Sequence, residues 1–197
     1  MEWPRVTSIL KDFGFITDAF YYEPRHRRRG RYADYWANEL GAGKPGPAAE
    51  WYARKSGDPG KADEVEHEDC RPFIEAYMQF LRETQFTLEC CAFEVRNTAC
   101  RYVGHVDQLG RFPQQFNDEV FNLIDIKTGG ESDWHKYQLG LYAPAVNETA
   151  KVFVLHRYNL YLTNDGKYRL VERKDRRDVT EALILAQAWW LTHGREK

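Results

Sequence analysis

The chain has 197 residues, enough to bury one substantial core. Its 43% hydrophobic and 29% charged residues are those of a globular domain, and the lack of any run of about 18 apolar residues argues against a membrane span. A net charge of −2 excludes a uniformly basic nucleic-acid binder, so any contact with nucleic acid must rest on local patches.

Nothing apolar at the N-terminus resembles a signal peptide, and a cytoplasmic setting is expected. After Pro4, Val6 to Phe13 is amphipathic and predicts a short helix. A basic stretch follows, Arg25-His26-Arg27-Arg28-Arg29-Gly30-Arg31. It reads either as a solvated loop or as a phosphate contact, through Arg27, Arg28, Arg29 and Arg31. Tyr32 to Leu40 predicts a helix ending at Gly41, with a loop to Pro47. Ala48 to Lys55 predicts another helix, and Ser56 to Asp63 another loop. In Glu68 to Glu83, Phe73, Ala76, Tyr77, Phe80 and Leu81 recur at helical spacing. Phe86 to Val95, Tyr102 to Arg111 and Glu119 to Lys127 are rich in strand formers, with a turn over Phe112 to Asp118, and predict an antiparallel meander. Asp133 to Val146 is helical, Val152 to Leu162 a strand, and Asn164-Asp165-Gly166 a hairpin turn into Lys167 to Glu172. Arg177 to His193 closes the chain as a helix. This order predicts a mixed α/β (α+β) fold, one sheet flanked by helices. Cys70, Cys90, Cys91 and Cys100 show no Cys-x-x-Cys spacing and read as structural thiols rather than zinc or iron–sulfur ligands.

One constellation carries chemistry. Asp125 and Lys127, two apart on the third strand, face the same side, and a neighbouring antiparallel strand can bring Asp107 beside them. The pair sits among apolar residues, so it must be ion-paired or hold a metal. A structural ion pair is the plain alternative. Two carboxylates beside a lysine suit phosphodiester hydrolysis: hard oxygens bind Mg²⁺ or Mn²⁺, and the lysine can orient a water or stabilise charge on the phosphate. Gln138 and Tyr142, four apart on the following helix, share a stripe with Trp134.

From Glu68 to Ala145 the sequence resembles the PD-(D/E)XK nuclease superfamily, in particular its RecB-like and phage-type exonuclease branch. The matching elements are Glu94, then Gly104-x-x-Asp107, then Asp125-x-Lys127-Thr128-Gly129, then Gln138-x-x-x-Tyr142, with Val6-Thr7-Ser8-Ile9-Leu10 as a similar opening. Asp-x-Lys alone is a weak signal; the four elements in order are a specific one. The resemblance implies a restriction-endonuclease-like core forming one nuclease domain over residues 1–197, helical over about 1–85 and catalytic over about 86–197. It implies Asp107, Asp125 and the Ile126 carbonyl as metal ligands, Lys127 as the catalytic lysine, Glu94 in support, and Gln138 and Tyr142 near the site and the DNA. Members of this branch carry a metal-binding His on an early helix after an Arg-Gly pair. Here Asp34 follows Arg29-Gly30, with Glu39 and Glu50 as substitutes. The implied activity is a metal-dependent DNA exonuclease using a metal-activated water. An endonuclease or resolvase on the same core, and an inactive DNA-binding module, are the rivals. A homo-oligomer and a helicase or recombinase partner are both compatible with the resemblance.

Overall fold

A computed structural model of the chain, describing residues 2–17, 24–49, 67–113 and 120–194, arranges these segments in three layers. The helices are α1 (Val6–Asp12), α2 (Pro24–Gly41), α3 (Arg71–Thr84), α4 (Trp134–Ala150) and α5 (Arg177–His193), with a 3₁₀ turn at His67–Cys70 before α3. The strands are β1 (Thr87–Asn97), β2 (Tyr102–Arg111), β3 (Val120–Lys127), β4 (Phe153–Leu162) and β5 (Tyr168–Glu172). They form one sheet in the order β1-β2-β3-β4-β5. The first three pair antiparallel, as the short connections predict. The β3–β4 pair is parallel, because α4 carries the chain back to the end where β3 began. The β4–β5 pair is a hairpin, and Gly166, at φ +77, supplies the left-handed residue its turn requires. The fold is thus a mixed α/β sheet with helices on both faces.

Apolar periodicity decides what each face buries. Val6, Ile9 and Leu10 of α1, Leu139, Ala143 and Val146 of α4, and Ala182 and Ala186 of α5 pack with Val106, Leu109 and Leu123 on one face. Ala33 and Ala37 of α2 and Phe73, Tyr77 and Phe80 of α3 pack with Ile124, Ile126, Leu160 and Leu162 on the other. Along β3, Ile124 and Ile126 therefore face α2 and α3, and Asp125 and Lys127 face α4. No described helix is long and apolar enough to cross a membrane. All four cysteines are free thiols.

Two expectations change. The helix read as starting at Tyr32 begins at Pro24, so the basic stretch is helix rather than loop. The predicted Glu68–Glu83 helix opens with a 3₁₀ turn and becomes α-helical from Arg71. Most of the predicted helix 48–55, the loop 56–63 and most of the turn 112–118 lie outside the described residues.

Candidate active site

β2 and β3 pair from Gly110↔Asn122 to Gln108↔Ile124 and part beyond that level. Asp107, next along β2, fills the start of the fork. Its Oδ2 accepts the Ile126 N–H at 2.7 Å, a bond that a continued ladder would give to backbone. The strand is also broken on its other side. β1 and β2 pair at Cys91↔Gln108 and Phe93↔Val106 but not at the level between, where Ala92 has φ 49. The faces exchange across this level: Val106 packs on the α4 side, whereas Gln108 accepts the Tyr77 hydroxyl of α3 at 3.0 Å. A left-handed non-glycine residue costs about 1 kcal/mol, and the distortion turns Asp107 into the fork.

Asp125 is 1% exposed, so its charge needs partners. The Lys127 ammonium donates to its Oδ1 at 2.8 Å and lies 2.7 Å from its Oδ2. Asn159 Nδ2 donates to Oδ2 at 2.8 Å. Lys127 also donates to Gln138 Oε1 at 2.9 Å, and Gln138 Nε2 donates to the Tyr142 hydroxyl at 2.9 Å. The Trp134 ring centroid is 5.3 Å from the ammonium. The α4 stripe of Trp134, Gln138 and Tyr142 thus packs over Lys127. Gly104 belongs to the same arrangement, since a Cβ there would lie 2.6 Å from Cε1 of the Tyr142 ring.

A cleft of about 1050 Å³ opens over the fork. Its floor and walls include Asp107, Asp125, Ile126, Lys127 and Gln138, with Asp34 and Arg27, Arg28, Arg29 and Arg31 of α2 opposite. Arg29 reaches across to the Thr128 carbonyl at 3.3 Å and lies 4.8 Å over the Phe73 ring. Asp34 accepts Asn38 Nδ2 at 3.5 Å, and Asn38 Oδ1 accepts Gln108 Nε2 at 3.0 Å. Burial raises the Asp34 carboxyl above its ordinary value; His105 and Lys127 oppose the rise and Asp125 adds to it. Burial pushes Asp107 well up, and the nearby Asp125 and Asp34 push it further. This crowding of carboxylates is what a divalent cation relieves. The available donors are Asp107, Asp125, Asp34 and the Ile126 carbonyl, which points with its own N–H into the fork. Among the described residues no three His, Cys, Asp or Glu side chains close around one point, so a cation here would lean on the carbonyl and water as well.

Glu94 does not join the site. β1 is the outer strand and β2 stands between it and the fork; the Glu94 carboxylate, about half exposed, pairs with Arg96 at 2.8 Å. Glu39 is likewise engaged elsewhere, with Lys44 at 2.8 Å, and Glu50 lies outside the described residues. The structure also adds residues that spacing did not single out. Asn159 is fully buried against Asp125, and Arg173 Nε donates to Asn159 Oδ1 at 2.8 Å. His135 lies in the cleft wall with its Nδ1 2.8 Å from the Tyr161 hydroxyl; burial, then Lys127 and Arg173, lowers its pKa to about 3, so it is neutral. The available signal was a polar Asn inside the apolar run Tyr158-Asn159-Leu160.

No family model and no curated protein sequence matches the chain. Among solved structures it resembles a provisionally named exonuclease from Eubacterium rectale, over 100% of this chain and 83% of that one, with TM-score 0.53 at 9% identity. LHK-Exo, solved with dAMP, is a weaker likeness: TM-score 0.42 and 10% identity over 96% of this chain and 87% of that one. The first likeness shows a shared fold, the five-stranded mixed sheet with helices on both faces.

Proposed function

We propose that the protein is a metal-dependent DNA nuclease of the PD-(D/E)XK type, acting as an exonuclease. The observation that carries this reading is the meeting of Asp107, Asp125 and Lys127 at one fork, under a cleft whose opposite wall is the arginine face of α2. Asp107, Asp125 and the Ile126 carbonyl would hold Mg²⁺ or Mn²⁺, with Asp34 completing the set from α2. When bound, the cation polarises a phosphate oxygen and makes a water more acidic. The chain's own residues supply the remainder. Lys127, fixed by Asp125 and Gln138, places a positive charge where negative charge builds on the phosphate. Gln138 and Tyr142 keep that ammonium in place through one hydrogen-bonded chain. Arg27, Arg28 and Arg31 seat the DNA backbone, and Arg29 ties α2 to the Thr128 turn. The name borne by the Eubacterium rectale protein agrees with this reading.

The test is digestion of end-labelled linear and closed circular DNA with Mg²⁺. Linear DNA should be shortened from its ends and circular DNA spared. Cleavage of the circle would make the protein an endonuclease on the same core. Binding without cleavage of either, in Mg²⁺ and in Mn²⁺, would make it an inactive DNA-binding module.

A further inference from the structure

Both oxygens of the Asp125 carboxylate are within reach of the one ammonium of Lys127, at 2.8 and 2.7 Å, so this contact does not distinguish them. A lysine, with a flexible stem and a point charge, does not fix a carboxylate plane. Another group does. Asn159, on the neighbouring parallel strand, is the register partner of Asp125 and is fully buried. Its Nδ2 donates to Asp125 Oδ2 at 2.8 Å. The assignment of its amide follows from chemistry, because the opposite side of Asn159 meets Arg173 Nε at 2.8 Å. Arginine only donates, so the Asn159 oxygen must face it and the nitrogen must face Asp125.

Arg173 is itself held. Its Nη2 donates to the Tyr161 hydroxyl at 3.0 Å and to Glu131 Oε1 at 2.8 Å. Glu131 lies in the cleft wall beyond Gly129 and Gly130, and its other oxygen takes Arg169 at 2.8 Å. The Tyr161 hydroxyl, accepting from Arg173, can give its proton to neutral His135 Nδ1 at 2.8 Å. One directed chain thus runs from β5 through Arg173 and Asn159 to Asp125, with a branch to the turn that borders the cleft.

We infer that Asn159, oriented by Arg173, is a positioning residue that sets the Asp125 carboxylate for cation binding. The inference rests on the proposed metal-dependent reading of the cleft. A neutral amide suits the task, since it orients the carboxylate without cancelling the charge that attracts the cation. Asn159 does not line the cleft and has no direct contact to offer DNA.

The experiment uses the full chain and Mn²⁺ as probe, by calorimetric titration, with DNA cleavage and thermal melting measured alongside. Asn159→Leu keeps the number and branching of the side-chain heavy atoms and removes both hydrogen bonds. Mn²⁺ affinity should fall 10- to 100-fold, the usual effect of losing an outer partner of a metal ligand. The rate constant kcat should fall with it and KM for DNA should stay within about twofold. Arg173→Lys keeps a cation beside Glu131 and cannot reproduce the directed Nε bond; it should weaken Mn²⁺ binding in the same direction by less. It also serves if Asn159→Leu does not fold. Folded variants with parent Mn²⁺ affinity would overturn the inference while leaving the nuclease reading intact. A parent chain that neither binds Mn²⁺ nor cleaves would overturn both.

Discussion

Lys127 donates to Asp125 and Gln138 at 2.8 and 2.9 Å and lies against the Trp134 ring, so its ammonium is held in one place at the cleft floor. Lys127→Ala removes that charge and leaves the carboxylates. Mn²⁺ binding should persist or tighten, because a cation leaves the neighbourhood of the proposed cation site. Turnover should drop on the order of 100-fold, the scale for losing one preorganised charge stabiliser, with DNA binding little changed. Single-turnover cleavage with Mn²⁺ titration checks it; a near-parent rate in folded protein would reduce Lys127 to a structural partner of Asp125. The grouping of Asp125 with Lys127 could be read from sequence, because a strand's period of two is a local property. Asn159 could not, since its tie to Asp125 depends on the register of two strands 34 residues apart. Glu94 misled for a related reason. The motif order gives its strand but not the position of that strand at the sheet edge, where Arg96 takes its carboxylate.

At the scale of the element, α2 brings the most to the cleft that patterning missed. Arginine favours helix, but Gly30 and the lack of an apolar stripe before Tyr32 hide the first turns. Gly30 also sits close to the Thr128 turn, since a Cβ on it would be 3.4 Å from Thr128 Oγ1. Because the arginines ride on one helix, they present a row along the cleft wall rather than a loop. Replacing Arg27, Arg28 and Arg31 with Ala should therefore flatten the salt dependence of DNA binding by roughly 0.7 to 0.9 in log–log slope per lost phosphate contact. Cleavage at saturating DNA should survive. Arg29→Ala should differ by lowering thermal stability as well, since it unties Thr128 and leaves the Phe73 ring. An unchanged slope in the triple variant would assign this face to solvent. The strands and the last two helices were easier, because their apolar periods are strong and short turns join the first three strands. The parallel β3–β4 pairing needed the structure, since it depends on where α4 lands.

For the molecule as a whole, the cleft depends on α4 being pressed onto the sheet, and α5 closes the layer behind it. The Tyr102 hydroxyl donates to the Leu141 carbonyl at 2.7 Å, and Lys127 and Gly104 meet Gln138 and Tyr142, so α4 is pinned on its sheet side. On its other side Gly140 lets α5 approach closely. A Cβ at Gly140 would lie 2.7 Å from the Asp178 carbonyl oxygen and 3.0 Å from Ala182 Cβ. Both are groups that cannot swing aside, so a helix must move. The part that yields should be the first turns of α5, because its tryptophan anchors, Trp189 to Asp12 at 2.6 Å and Trp190 to the Cys100 and Arg101 carbonyls at 3.0 and 3.1 Å, sit at its other end, whereas α4 is anchored beside Gly140 itself. Gly140→Ala gains about 1 kcal/mol in helix propensity but overpacks the α4–α5 seam, at a cost of about 1–3 kcal/mol. The net result should be a loss of up to about 2 kcal/mol, or a melting temperature lower by up to roughly 8 °C for a domain of this size. Because α4 stays in place, cleavage per folded molecule should match the parent well below the melting transition. Urea denaturation and single-turnover cleavage on the same preparation read the two quantities separately. Lost cleavage with unchanged stability would mean that α4, not α5, gives way, and that the seam behind the cleft helps set the geometry at its floor.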